Sequence, residues 1–443
     1  MHATSAGPPP PAATGLDVRP FRALTYTHCD PGHLARVSSP AYDLVTPDGR
    51  DRLAAADPHN IVRLILPGGT SGAGTAGAPD GDGTLVRNGD GQAVHAARTL
   101  REWVDGGVLV RDELSAFWLY EMQPAGGPVT VGWLGAVSVA GGGRAVLPHE
   151  DTFPAAVEGR RALLAATATD LEPIVLAHDP EAEVAELTRE ALGGVPAMEV
   201  ADPDGVRHRL WRVTDGGVLR RLTGALGRTG AVIADGHHRF AAAQALHRTH
   251  PDGDCRVLAL LTPMGTGGLR VEAIHRVVPD LSLGEAAAAA ARGFTITELS
   301  PPGGPGAPAA AVDALLDASG EGAYLLTDGR RLLRLSDPSP GVRATVPAEA
   351  PAAWRRLDVV LATTGLVTGL WGRPDDPASL LVAHDVSEAL RLAGERSGVA
   401  LLLRPPSPAD VAAVARAGAR MPRKSTLFVP KPRTGLVLRP HAG

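Results

Sequence analysis

The segment Ala234-Asp-Gly-His-His-Arg-Phe240 gathers a carboxylate, two imidazoles and a guanidinium around one glycine. An apolar run, Ala231–Ala234, precedes it and a helix-like run follows, so the cluster falls where a strand turns into a helix. A helix N-terminus presents unsatisfied N–H groups and the positive end of the peptide dipole, which suits an anion. Gly236 allows positive φ or a close approach of backbone to a ligand. Gly236, His237, His238 and Arg239 are therefore candidate phosphate-binding residues, with His238 also a candidate for catalysis. Asp235 is a candidate metal ligand or general base. The same residues would also suit a plain capped helix with packed or exposed histidines.

Lysine is scarce in this chain. Of 43 basic residues only Lys424 and Lys431 are lysines, and both lie in Met421-Pro-Arg-Lys-Ser-Thr-Leu-Phe-Val-Pro-Lys431. In an Ala-, Gly-, Pro- and Arg-rich background, a retained lysine points to a need for a compact ammonium that the planar guanidinium cannot imitate. Lys424 is a catalytic candidate, and Ser425 and Thr426 beside it are candidate phosphate ligands. Two exposed lysines that happen to be close would give the same pattern.

Three consecutive ionisable residues, His149-Glu150-Asp151, follow a Gly-rich turn. They could supply a general base or a Mg²⁺ ligand, Glu150 being the candidate for both, or equally an acidic helix cap. Asp43, in Ser39-Pro-Ala-Tyr-Asp43, is a further candidate metal ligand. Asn60 in Asp57-Pro-His-Asn60 stands at an expected strand start. His275-Arg276 places two more cationic donors at a strand end, as candidate phosphate ligands.

Composition excludes several classes. With 443 residues, 44% apolar and 21% charged, the chain has the make-up of a soluble globular protein of two or three domains. A net charge of −5 gives no basic footprint for duplex nucleic acid. Only Cys29 and Cys255 are present, so a disulfide framework is not expected and a reducing cytoplasm is the simplest setting. No apolar run reaches the ~20 residues of a membrane span. No P-loop, Gly-x-Ser-x-Gly or Cys-x-x-Cys motif occurs.

The elements that must position these residues alternate along the chain. Strands are expected at Phe21–Thr27, Ile61–Leu66, Ala116–Met122, Val129–Val139, Ile174–His178, Val206–Val213, Ala231–Asp235, Arg256–Leu261 and Leu269–Val278. Helices are expected at His95–Val104, Arg160–Ala168, Ala182–Leu192 and His238–His250. Further along come a hairpin at Ala323–Leu335, helices at Leu357–Leu370, Val386–Arg396 and Ala409–Ala417, and a strand at Val399–Leu403. An α+β or mixed α/β protein follows. Residues 1–16 read as a disordered tail, and 17–300 as a core with its ligand-binding turn at 234–240. Within that core, 67–91 form a flexible Gly-rich insertion. Residues 301–311 read as a linker or loop, 312–437 as a C-terminal α/β part that returns the lysine segment to the site, and 438–443 as a tail.

In order, these segments resemble an uncharacterised bacterial and archaeal family catalogued as domain of unknown function 1015. The matching pieces are Tyr42-Asp43, Asp57-Pro-His-Asn60, Pro148-His-Glu-x-Thr152, His208-Arg-Leu-Trp211, Ala234-Asp-Gly-His-His-Arg239 and Ile274-His-Arg276. Leu357-Asp358-Val359, Met421-Pro-x-Lys-Ser-Thr426, Pro430-Lys431 and Gly435 complete them, so the likeness covers about 17 to 437. The Asp-Gly-His-His-Arg motif is also similar to the phosphate-binding turn of the ParB/sulfiredoxin-like superfamily. That superfamily includes a free-serine kinase, sulfiredoxin and CTP-hydrolysing partition proteins.

This second resemblance implies a nucleotide-binding core, with ATP or ADP and Mg²⁺ as cofactors. It implies a phosphotransferase acting on a small hydroxyl-bearing metabolite, a free amino acid such as serine being one such acceptor. The alternative is a nucleotide- or anion-binding regulatory protein without catalysis. A small-molecule partner is expected, and neither nucleic acid nor membrane. The negative charge weighs against a ParB-like DNA-binding role, and the absence of cysteine from the turn weighs against a sulfiredoxin-type reductase.

Overall fold

The computed structural model describes residues 15–68, 90–140, 145–300, 308–320, 322–376 and 378–441. Most of the expected N-terminal tail and Gly-rich insertion, the 301–307 part of the expected linker and the last two residues lie outside them. The protein is mixed α/β and divides into two compact units, one running up to Leu269 and resuming at Pro430, the other spanning Arg270–Val429. The stretch expected as a linker falls within the second unit.

The first unit is built on a nine-stranded mixed sheet. Its path runs Val146–Leu147, Ala231–Asp235, Ile174–His178, Arg256–Pro263, Thr130–Ser138, Phe117–Gln123, Arg207–Val213, Met198–Ala201, with Val18–Arg19 also paired to Thr130–Ser138. Two neighbouring pairs are parallel, Ala231–Asp235 with Val146–Leu147 and Arg256–Pro263 with Ile174–His178. The central strands are mostly apolar because both faces are covered, as in Ile174–His178, where every residue, His178 included, is buried. Val18, Phe117, Trp133, Ile174, Trp211, Ile233 and Phe240 belong to one core. Helices Asp90–Asp105, Pro154–Thr167 and His237–Thr249 pack in succession.

The C-terminal segment is stitched into this unit. Thr434 and Ser39 exchange N–H···O bonds of 3.0 and 2.8 Å, and Leu438 and Leu24 exchange bonds of 2.9 and 3.0 Å. Arg439–Pro440, inside the stretch expected to be a tail, pairs with Thr169–Asp170. Gly435 is required where it stands: its φ is +94°, and a Cβ there would lie 2.9 Å from Ile61 Cβ.

The second unit has a six-stranded antiparallel sheet in the order Thr295–Leu299, Leu332–Ser336, Tyr324–Thr327, Val399–Leu402, His275–Val278, Leu381–Ala383. Its core includes Val277, Val312, Leu316, Leu325, Ala389 and Leu402.

Three elements differ from expectation. Ile61–Leu66 is not a strand but a short helix, Val62–Ile65. Asn60 Oδ1 accepts from Val62 N–H at 2.9 Å just before it, and with Arg63 the one residue not buried, the segment shows too little polar face to mark a helical period. Leu269–Val278 is two strands, Arg270–Glu272 and His275–Val278. The helix at Leu357–Leu370 is an α-turn, Asp358–Leu361, followed by a π-helix, Ala362–Leu370.

Candidate functional site

The turn between Ala231–Asp235 and His237–Thr249 is shaped by its backbone. The strand register shifts at a bulge between Ile233 and Asp235, with Asp235 still paired to Val175. Gly236 then takes φ +91°, and a Cβ there would meet Ile174 Cγ2 at 2.8 Å. Only glycine meets both demands without movement. The helix starts with Phe240 N–H donating to Gly236 O at 2.9 Å.

Four charged side chains of the first unit meet at this turn. Arg239 Nη2 donates to Asp235 Oδ2 at 2.6 Å, and Arg239 Nη1 donates to the Pro173 carbonyl at 2.6 Å. Lys431 Nζ lies 3.0 Å from Asp235 Oδ1 and also pairs with Asp43. Burial alone would raise the Asp235 carboxyl; Lys431 and then Arg239 outweigh it and hold it below the usual carboxylate range. Burial would likewise lower the Lys431 ammonium, but Asp235 and Asp43 push it above the usual lysine range, so it stays charged.

A second layer lies behind the turn. Glu172 Oε1 accepts from Tyr42 N–H at 3.1 Å and from the Thr434 hydroxyl at 2.8 Å, joining the N-terminal and C-terminal segments. The Tyr42 ring carries the Arg160 guanidinium 3.7 Å above its centre, with Arg239 at 5.5 Å. Further out, Arg433 Nε donates to Ser38 Oγ at 2.6 Å and Arg433 Nη1 pairs with Asp202. His208 bonds Asp202 at 2.9 Å through Nε2 and Tyr120 Oη at 2.9 Å through Nδ1, and Tyr120 Oη accepts from Arg433 N–H at 2.9 Å.

The 149–153 loop covers the start of the helix. His149 N–H donates to His237 Nε2 at 3.2 Å, and Phe153 N–H donates to His238 Nε2 at 3.1 Å. Each Nε2 therefore serves as an acceptor, which places the ring proton on Nδ1. His149 and His237 meet edge to face at 4.5 Å, and Phe153 stacks on His238. Glu150 carboxylate oxygens lie 3.8 Å from His149 Nε2 and 3.9 Å from His237 Nδ1.

Of the residues singled out in the sequence, Asp43, Glu150, Asp235, Gly236, His237, His238 and Arg239 thus fall in the first unit around one helix start. His275, Arg276, Lys424, Ser425 and Thr426 fall in the second unit. There Arg276 is buried, its Nη1 and Nη2 donating to the Lys424 and Arg423 carbonyls at 2.8 and 3.0 Å, which braces the lysine-bearing turn. Lys424 has φ +50°. His275 Nδ1 accepts from Leu403 N–H at 3.2 Å, and burial depresses its imidazole to about 4.

Among the described residues no group of three or more His, Cys, Asp or Glu is placed to hold a metal ion. Mg²⁺ needs only one or two protein carboxylates beside nucleotide phosphates. Asp43 and Asp235 offer such a pair where their oxygens converge on Lys431, provided that the ammonium gives way.

Lys431 stands at this turn although Lys424 is the lysine expected in catalysis, and Arg160, Glu172 and Arg433 join its surroundings without having been expected. The scarcity of lysine was signal enough for Lys431, which is flanked by Pro430 and Pro432. Arg160 and Arg433 are two arginines among many, and Glu172 stands in no motif.

The profile of a family described as "Protein of unknown function (DUF1015)" matches residues 18–360. No curated protein matches. Among solved structures, free serine kinase in complex with AMP is 13% identical, with 64% of this chain and 84% of that one covered and a TM-score of 0.31. A conserved hypothetical protein from Pyrococcus furiosus is 12% identical, with 69% and 93% covered and a TM-score of 0.32. SbnI with C-terminal truncation from Staphylococcus aureus is 14% identical, with 68% and 85% covered and a TM-score of 0.33. No helix among the described residues is long and apolar enough to cross a membrane.

Proposed function

Given that the chain belongs to the DUF1015 family, we propose that it is a nucleotide-dependent phosphotransferase acting on a small hydroxyl-bearing metabolite, with the Asp235–Arg239 turn as its phosphate site. The observation that carries this reading is the meeting of Asp43, Asp235, Arg239 and Lys431 at the N-terminus of His237–Thr249. Phosphoryl transfer asks for fixed positive charge around the phosphates and a carboxylate beside the acceptor hydroxyl. Lys431 and Arg239 would supply the charge. Asp43 or Asp235 would orient the hydroxyl, or hold the Mg²⁺ that neutralises phosphate charge when ATP or ADP is bound.

In the arrangement described, both carboxylates are already engaged by cations. A nucleotide must therefore draw Lys431 or Arg239 toward its phosphates and free a carboxylate oxygen as it does so. Binding would thus activate the base by removing its counterion. Glu150, next to His237, and Lys424, in the second unit, remain candidates for further roles in this reaction.

The same closed set of ion pairs also favours a second reading, in which the turn senses a nucleotide or another anion without chemistry. One experiment separates the readings. Thermal shift with ATP or ADP, with and without Mg²⁺, tests binding, because a ligand of the folded state raises the melting temperature. Release of ADP from ATP in the presence of hydroxyl metabolites then tests transfer. Binding without transfer favours the sensor, and absence of any nucleotide effect removes both readings.

A further inference from the structure

Behind the Asp235–Arg239 turn the first unit has a partly open cavity lined by Arg160, Arg239, Asp170 and Glu172, with apolar walls that include Leu163 and Ala242. Its charges do not all find counterions within the protein. Asp170 is neutralised by Arg439, whose Nε donates to it at 2.7 Å. Arg239 is paired with Asp235. Arg160 and Glu172 are the exceptions: among the described residues neither forms an ion pair, and Glu172 meets only the Tyr42 N–H and the Thr434 hydroxyl. Arg160 itself is 5% exposed. Its Nη1 donates to the Ile65 carbonyl at 3.2 Å, and its plane rests on Tyr42. Its Nε is buried with no hydrogen-bond partner, and the Nε of Arg239 at the same cavity is in the same condition.

A buried guanidinium cannot shed its proton, and burying a charge without a counterion is costly. Buried polar atoms are rarely left without partners, and those that are commonly mark a place where something else binds. A guanidinium edge offers parallel N–H donors that match two oxygens of one anionic group. We propose that Arg160 anchors a binding site for a small carboxylate-bearing ligand in this cavity. Glu172 decides between oxyanions: its carboxylate lines the same space, so a single negative charge is tolerated there better than a phosphate dianion. This deepens the proposed function, since such a ligand would be the phosphoryl acceptor, and it rests on that reading only for this role.

The test uses the full chain without nucleotide. Acetate, glycolate and inorganic phosphate are titrated at constant ionic strength, with chloride as control, while the melting temperature and the arginine Nε–H resonances are followed. The expected result is a saturable shift of the Arg160 Nε–H signal, assigned by its loss in Arg160→Lys, and a rise in melting temperature with acetate or glycolate. Arg160→Met should lower that affinity at least tenfold while ADP still raises the melting temperature. Should Arg160→Met not fold, the wild-type resonance titration decides alone. A response to phosphate only, a carboxylate response that survives Arg160→Met, or no response to any oxyanion would each overturn the proposal. Loss of ADP binding with carboxylate binding intact would instead count against the nucleotide reading.

Discussion

Lys431 holds its ammonium 3.0 Å from the Asp235 carboxylate and at the same time pairs with Asp43, so three segments remote in sequence meet at one nitrogen. Lys431 and Asp235 are largely buried, Lys431 being 11% exposed, while Asp43 stands at the exposed rim. Removing one partner from such a set leaves uncompensated charge, which costs about 3–5 kcal/mol. Lys431→Met should lower the unfolding free energy by about that amount in urea titrations. Lys431→Arg should retain part of the stability but lose nucleotide-dependent turnover, because a planar fork cannot fill the place of a compact ammonium between two carboxylates. Full activity in Lys431→Arg would remove Lys431 from the chemistry.

Gly236→Ala tests the backbone of the turn. A side chain at φ +91° is strained, and its Cβ would press on Ile174 Cγ2 at 2.8 Å. The expected loss is about 1–3 kcal/mol. Nucleotide affinity should fall as well, because Asp235 and Arg239 are displaced with the turn. Calorimetry on the folded variant checks the second effect, and unchanged affinity would show that the turn does not contact the ligand.

The strand–turn–helix around this site was legible in the sequence because every cue is local. An apolar run ends at Ala234, Gly236 breaks it, and amphipathic residues follow to Thr249. Glu150 could be picked out as a candidate from residue type, although its approach to His237 depends on tertiary contacts. The scarcity of lysine marked Lys431, but the pairing of Thr434 with Glu172 and of Arg439 with Asp170 had no comparable signal, since it is set by long-range packing. Ile61–Leu66 shows the converse problem. A short run that is buried except at Arg63 has too little polar face to reveal its period, so a short helix and a strand look the same.

His275 should give the second unit a pH dependence. Burial depresses its imidazole in the folded state to about 4, below the ordinary value of about 6.5. Its contribution to stability is therefore fully present above the unfolded value and is lost as pH falls toward the folded one. Between about pH 6.5 and 4 the loss should reach on the order of 3 kcal/mol. His275→Asn keeps an acceptor for Leu403 N–H but does not titrate there. Its urea midpoint should fall less steeply over that window than that of the parent. Parallel profiles would mean that His275 does not carry the effect.

Arg433 should be the clamp that keeps Lys431 in place. Its guanidinium reaches Ser38 Oγ at 2.6 Å, the Ala35 carbonyl at 3.2 Å and Asp202, while its N–H meets Tyr120 Oη at 2.9 Å. Asp202 is fixed from its other side by His208, so the clamp rests on a hydrogen-bonded chain rather than on one pair. Arg433→Met should cost about 3–5 kcal/mol, as expected for a broken buried ion pair. In a double-mutant cycle with Asp202→Asn the coupling should exceed about 1 kcal/mol, because the two side chains share one network. Stability alone does not show that the segment is held by this residue; amide exchange does. The N–H groups of Thr434 and Leu438, which bond to Ser39 and Leu24, should exchange faster in Arg433→Met under native conditions, as local opening of the segment becomes easier. Exchange that stays as slow as in the parent would assign the anchoring to Thr434 and Arg439 and leave Arg433 a packing role.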